Sequence, residues 1–255
     1  MKRNLLKKKL KNGIQTYGTW ITLGHPLIPE ILAPAGFDWL AIDMEHSSIG
    51  IQEILPMIIA IEAKGVVPLV RVEENNANII KRVMDAGSYG VIVPNVNNAE
   101  QAKAAVDAVK YPPTGKRGVG LYRAQQYGRY FDEYKQWLKN ESVVIIQIEH
   151  IQAVEQIDDI FSVPHIDAFF VGPYDLSGSM GKPGQYNDPK VAQAIERIIN
   201  AGKKHKIPAG FHSVPSSVRE LKKRQKQGFK FLAYSTDAIL LGDIARDSLE
   251  SIRKR

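Results

Sequence analysis

At 255 residues, 44% hydrophobic and 24% charged, the chain has the size and balance of one large globular domain, which excludes a fibrous or disordered polymer. It contains no cysteine, so disulfide frameworks, zinc–thiolate and iron–sulfur sites and thiol nucleophiles are excluded, in keeping with a reducing, cytoplasmic setting. The 34 basic and 27 acidic residues give a formal charge of +7 and a pI near 9.4, a balance that points to nucleic acid or to an anionic small molecule.

Six bases, Lys2, Arg3, Lys7, Lys8, Lys9 and Lys11, fall in the first eleven residues, and no acid precedes Glu30. Leu5, Leu6 and Leu10 among them predict a short basic helix within residues 1–12; no apolar core follows, so a signal peptide is not expected. The +7 falls to +1 once these six bases are set aside, and to −2 without Arg253, Lys254 and Arg255. The body of the chain is therefore near neutral. A second basic cluster, Lys222, Lys223, Arg224 and Lys226, has no interleaved aromatics and reads as a solvated helix face, so no nucleic-acid partner is expected. Apolar runs such as 57–61 and 168–171 are too short to span a membrane.

Short β-branched or aromatic runs alternate with helical periods. Strands are predicted over 16–23, 38–43, 66–71, 90–94, 143–149, 167–172, 207–211 and 229–234. Helices are predicted over 28–35, 52–64, 77–86, 99–110, 153–161, 189–205, 216–227 and, at the carboxyl end, from 237 to 253–255. Strands apolar on both faces, each followed by a helix, imply a fully covered parallel sheet. Eight such units in this length predict a single α/β domain spanning 1–255, closed as a (β/α)₈ TIM barrel. Residues 111–142 break the rhythm with prolines, glycines and aromatics and are expected to form a long loop or lid. Gly115-Lys116-Arg117-Gly118 within it lacks the Gly-Lys-Ser/Thr ending of a P-loop; a flexible loop carrying Arg117 and Arg123 toward an acidic ligand is the functional expectation, a solvated loop the alternative.

Catalytic groups of such barrels sit at the carboxyl ends of strands. Those ends carry Asp43-Met44-Glu45-His46, Arg71, Gln147-Ile148-Glu149-His150, Gly172-Pro173-Tyr174-Asp175-Leu176-Ser177, and Gly210 with His212. Two carboxylates from neighbouring strands, Glu149 and Asp175, need a counter-ion if buried, and a hard divalent cation supplies it; helix capping or lysine pairing is the competing account. Arg71 ends an apolar strand and needs an anionic partner, either a substrate carboxylate or enolate, or Glu45 or Asp43. His46 is a proton-transfer candidate or a solvated loop histidine, with Asp43 and Asp85 as groups that orient it or relay through water.

The chain resembles the HpcH/HpaI family of metal-dependent 2-keto-3-deoxy acid aldolases. The matching segments run in family order from about residue 13 to 240. They are Gly18-Thr-Trp, Gly36-Phe-Asp-Trp-Leu-Ala-Ile-Asp-Met-Glu-His46, Arg71, Ile80-Lys-Arg-Val-Met-Asp85-Ala-Gly87 and Val93-Pro94. They continue with Tyr111-Pro-Pro-Thr-Gly-Lys-Arg-Gly118, Gln147-Ile-Glu149 and Gly172-Pro-Tyr-Asp175-Leu-Ser177. The resemblance implies a phosphoenolpyruvate/pyruvate-type barrel, commonly hexameric, with Glu149 and Asp175 holding Mg²⁺, Mn²⁺ or Co²⁺. It implies Arg71 at the pyruvate end, with Gln147, Gly172, Pro173, Tyr174 and Asp175 around the substrate, and His46, Asp43 and Asp85 in acid–base work. The implied reaction is reversible class II cleavage of a 4-hydroxy-2-oxo acid to pyruvate and an aldehyde through a metal-stabilised enolate. Tyr174, His150 and Ser47 depart from the commoner family residues and leave the aldehyde open. Competing readings are a Schiff-base aldolase, for which no lysine lies on strands five to seven and Lys230 begins strand eight; a lyase of malyl- or citramalyl-CoA type thioesters; and a catalytically silent sugar-acid binder.

Overall fold

The computed structural model describes residues 2–253. Eight parallel strands, β1 (Thr16–Ile21), β2 (Trp39–Asp43), β3 (Val67–Arg71), β4 (Gly90–Val93), β5 (Val143–Ile148), β6 (Ala168–Val171), β7 (Ala209–Ser213) and β8 (Phe231–Thr236), pair in chain order and close β8 onto β1. Outside them lie α1 (Leu5–Lys11), α2 (Leu27–Leu32), α3 (Ile51–Ala63), α4 (Ala77–Ala86), α5 (Ala99–Val109), α6 (Phe131–Glu141), α7 (Ile151–Glu155), α8 (Ile157–Ser162), α9 (Pro173–Ser179), α10 (Pro189–His205), α11 (Val218–Lys226) and α12 (Asp237–Arg253). The fold is the expected (β/α)₈ barrel. None of its described helices is long and apolar enough to cross a membrane.

Local chemistry accounts for the boundaries. Asn76 accepts the free amides of Asn78 and Ile79 to start α4, and Gly87, at φ +104°, stops it in a left-handed turn that a Cβ would strain. Asp188 caps α10 through Lys190 N, with Pro189 at the first helical position. The expected helix over 153–161 breaks at Gln156 into α7 and α8. Strands β7 and β8 each start two residues later than their apolar runs. Pro208 has no N–H for the ladder, so pairing with β6 begins at Ala209. A shift of two preserves which side chains face inward and carries His212 into β7.

Residues 111–142 depart most from expectation. They contain α6, whose Phe131, Tyr134, Trp137 and Leu138 have helical spacing. The segment runs from the end of α5 to the start of β5, which places it at the amino end of the barrel, so it cannot be a lid over the carboxyl end of its own chain. Arg117 is buried beneath it, donating to Val109 O at 3.2 Å and Tyr134 Oη at 2.9 Å and stacked 4.4 Å over Tyr111. Arg123 binds Glu62 at 2.5 Å. Neither arginine reaches for a ligand; both hold the segment down. The basic helix α1 caps the same end, Lys7 pairing with Asp167 at 2.8 Å and Lys9 with Asp38, two aspartates that immediately precede strands.

Inside the barrel an aromatic plug fills the lumen. Trp39 stacks on Phe231 at 4.3 Å, Phe170 lies 4.8 Å from Phe231, and Trp20 lies 5.6 Å from Phe170. Gly18 makes room for it: a Cβ there would sit 2.1 Å from the Trp39 ring. At the other extreme, α12 buries only Asp237, whose carboxylate takes Thr22 N, Leu23 N and Ala238 N. Its Leu241, Ile244, Leu249 and Ile252 are all more than half exposed. Replacing Gly18 with alanine should destabilise the barrel by about 3 kcal/mol, because the fully buried Trp39 has nowhere to move. Urea unfolding monitored by tryptophan fluorescence measures it.

Candidate active site

Strand register sets the first contact. Asp43 and Arg71 are direct partners across β2 and β3, so their side chains emerge on the same face. Asp43, 2% exposed, takes Arg71 Nε at 2.8 Å and Nη2 at 2.5 Å in a bidentate fork. Its Oδ1 also accepts Glu45 N and His46 N, which fixes the turn after β2. The guanidinium lies 4.4 Å over the Trp20 ring, on top of the aromatic plug. Its remaining nitrogen, Nη1, lies 3.2 Å from Glu45 Oε2 and 3.5 Å from Gln147 Oε1.

From there the network crosses to β5. Gln147 Nε2 donates to Glu149 Oε2 at 2.8 Å, and Asn95 N donates to Glu149 Oε1 at 2.7 Å. Asn95 holds the left-handed φ of +52° that aims this amide. Gly172 lies so close that a Cβ would fall 2.7 Å from Glu149 Cβ and 2.8 Å from Oε2. Pro173 opens α9 and places Asp175, solvent-exposed, in its first turn; Tyr174 beside it is also exposed. Among the described residues no three histidine, aspartate or glutamate side chains converge as a ready-made metal cage. Glu149 and Asp175 form a two-carboxylate arrangement instead, close enough for Asp175 to push Glu149 up, after the larger effect of burial.

Electrostatics single out Glu45, which the sequence reading treated only as a partner for Arg71. Burial raises its carboxyl to about 7, against the pull of Arg71 and with Glu149, Asp43 and Asp175 pushing the same way. His46 stands 67% exposed at the mouth, its Nε2 3.7 Å from Glu45 Oε2. The expected orienting partners take other places. Asp43 holds the His46 backbone rather than its ring. Asp85 lies in the last turn of α4, at the amino end, 3.7 Å from Arg117, with Oδ1 buried and unpartnered. Helices of this fold run back from the carboxyl to the amino end of the barrel, so a residue closing one cannot meet a strand-end histidine of the same barrel. Asn95 is the site residue that sequence reasoning missed, its position directly after a predicted strand being the available signal; Glu45 was read there only as an ion-pair partner.

Its relatives place this barrel, with the charged layer over its aromatic plug, among carbon–carbon lyases of the aldolase class. The chain belongs to the HpcH/HpaI aldolase/citrate lyase family, whose sequence pattern matches residues 16–242. It is 36% identical to a hydroxypyruvate/pyruvate aldolase of Paraburkholderia phytofirmans over 98% of both chains. It is 41% identical to a pyruvate aldolase of Rhizobium etli over 81% of this chain and 82% of that one. The crystal structure of an HpcH/HpaI aldolase/citrate lyase family protein from Burkholderia cenocepacia superimposes with a TM-score of 0.93 at 31% identity, covering 98% of this chain and 100% of the other.

The raised Glu45 carboxyl has a measurable consequence. The folded chain keeps this proton between the ordinary glutamate value of 4.5 and about 7, where the unfolded chain has lost it, so the Glu45 contribution to stability falls as pH rises through that window. Glu45→Gln should therefore melt above the wild type at pH 8 and lose that advantage at pH 5, in thermal melts of metal-free protein.

Proposed function

We propose that this aldolase reversibly cleaves a 4-hydroxy-2-oxo acid into pyruvate and an aldehyde, using a divalent cation, Mg²⁺, Mn²⁺ or Co²⁺, held by Glu149 and Asp175. One observation carries the reading: Asp43, Glu45, Glu149 and Asp175 crowd one barrel mouth, with Arg71 as the guanidinium acting on Glu45 among them. Such a surplus of carboxylate calls for a further cation. The donor set fits a hard one, because each Glu149 oxygen accepts a single donor and Asp175 has no hydrogen-bond partner among the described residues. A bound divalent ion supplies Lewis-acid polarisation of the substrate's 2-keto group.

The protein's own groups do the rest. Arg71 is locked through Nε and Nη2, and its Nη1, turned toward Glu45 and Gln147, is the donor offered to the oxygen on which negative charge develops; a donor already fixed in place needs little reorganisation. His46, at the mouth beside Glu45, takes the proton of the 4-hydroxyl as the carbon–carbon bond breaks and returns one to the pyruvate carbon. Gln147 keeps Arg71 and Glu149 in register, and Gly172, Pro173 and Tyr174 form the wall beside Asp175. A Schiff-base mechanism needs a lysine on an inner strand, and β5, β6 and β7 carry none; buried Lys110 is at the amino end, donating to Leu138 O and Ser142 Oγ, and Lys230 O accepts Thr16 N at the start of β1.

We further propose a cytoplasmic homo-oligomer, a hexamer by family resemblance. The exposed Leu241, Ile244, Leu249 and Ile252 of α12 support self-association. Asp85, at the far end of its own barrel, can join His46 only from a neighbouring copy.

Protein stripped with EDTA should release no pyruvate from 4-hydroxy-2-oxo acids and regain activity with Mg²⁺, Mn²⁺ or Co²⁺; full activity after stripping overturns the scheme. Glu149→Gln and Asp175→Asn should abolish the metal-restored activity, and Gln147→Leu should weaken the metal by roughly 10- to 100-fold, read by titration calorimetry. Leu241→Asp with Ile244→Asp should lower the native mass measured by light scattering.

A further inference from the structure

The β7 strand carries a histidine that the mechanism above does not use. His212 is half-buried near the carboxyl end of the barrel, its ring 5.7 Å from that of Trp20, the same indole that carries Arg71 on its face. Its Nε2 lies 3.1 Å from the carbonyl oxygen of Ser235. Ser235 is fully buried and holds a left-handed φ of +54°, in the irregular stretch where the β1–β8 register shifts. A serine in that conformation is unusual, and its result is a carbonyl turned toward the imidazole.

A carbonyl oxygen can only accept, so Nε2 carries the hydrogen and the tautomer is settled by geometry. The ring is also neutral. Burial lowers its basicity to about 4, outweighing the opposing hydrogen bond to Ser235, and the Arg71 cation adds to that against the smaller pull of Asp43. Nδ1 is thus a lone-pair acceptor. It has no partner among the described residues and is not sealed from solvent. An acceptor at this place repels a carboxylate or phosphate and is left unpaired by a methyl group. Only a donor satisfies it, and hydroxyl is the donor that small oxo acids and aldehydes carry.

We propose that His212 is a specificity-determining residue that accepts a hydrogen bond from a substrate hydroxyl, so that the site favours a hydroxylated reaction partner over its deoxy counterpart. The hydroxyl belongs either to the oxo acid, as in hydroxypyruvate, or to the aldehyde, as in glycolaldehyde. The proposal rests on the aldolase reading and deepens it.

Two arms of one experiment separate the sources. The first compares hydroxypyruvate with pyruvate, acetaldehyde being the common acceptor; the second compares glycolaldehyde with acetaldehyde, pyruvate being the common donor. In one arm His212→Leu should reduce kcat/KM for the hydroxylated partner about 10-fold more than for the plain one, the size expected for one neutral hydrogen bond. His212→Asn, which returns an acceptor near the position of Nδ1, should recover most of that ratio. Equal losses on both partners in both arms, or unchanged ratios, overturn the proposal and assign His212 to tying β7 to β8. Metal-dependent exchange of the pyruvate methyl protons with D₂O, followed by NMR, is read on the same wild-type protein. Absence of exchange overturns the aldolase reading and this proposal with it; exchange with unmoved ratios overturns this proposal alone.

Discussion

The Arg71 guanidinium, forked by Asp43 and laid on the face of Trp20, is the contact on which the carboxyl end of the barrel depends. A half-buried guanidinium is best held where its charge and its fork of donors are both matched. The β2–β3 register supplies the match, because it sets Asp43 and Arg71 side by side. Once Nε and Nη2 are committed, the direction of Nη1 is set, and through Gln147 so is the position of Glu149. The pair rests on an aromatic floor that cannot shift, since Trp20, Trp39, Phe170 and Phe231 fill the lumen beneath it.

The two ends of the barrel divide the charged residues between stability and chemistry. At the amino end the basic residues find partners within the fold: Lys7 and Lys9 hold aspartates beside strand starts, Lys110 ties down the end of α6, and Arg117 stacks between tyrosines. At the carboxyl end the carboxylates outnumber their counter-charge, and Glu45 accordingly keeps its proton up to about 7. The same residue types thus have opposite meanings according to which end of a strand they adjoin. The chain's net basicity belongs to the amino end and to exposed helix faces, away from the carboxylate-rich mouth.

Much of the fold was legible because its code is local. Short β-branched or aromatic runs located all eight strands, and α4, α10 and α12 fall where the helical periods put them. For the site only strand ends are readable in a sequence, and the structure places Arg71, Gln147, Glu149, Asp175 and His46 at or just beyond the carboxyl ends of their strands. Three things were not legible. Residues 111–142 read as a lid because glycines and aromatics masked the spacing of α6, and because a sequence does not show at which end of a barrel a connection lies. Asp85 read as a partner of His46 because the matching segment carries no direction in space. Glu45 read as an incidental ion-pair partner because its altered acidity comes from burial and from carboxylates that include Glu149 and Asp175, contributed after other strands.

By itself the sequence determined the order of strands and helices, the closure of eight units into a barrel and the set of residues available at strand ends. These follow from periodicity and composition, which act over a few residues at a time. Only the tertiary structure decided which of those residues meet. The Asp43–Arg71 fork needs a register between strands, the seating of Glu149 needs an amide from Asn95 in its left-handed turn and a glycine at 172, and the tautomer of His212 needs the carbonyl of Ser235 turned inward. Each is a contact between segments far apart in the chain, and its energy depends on distance and burial, quantities that exist only once the barrel has closed.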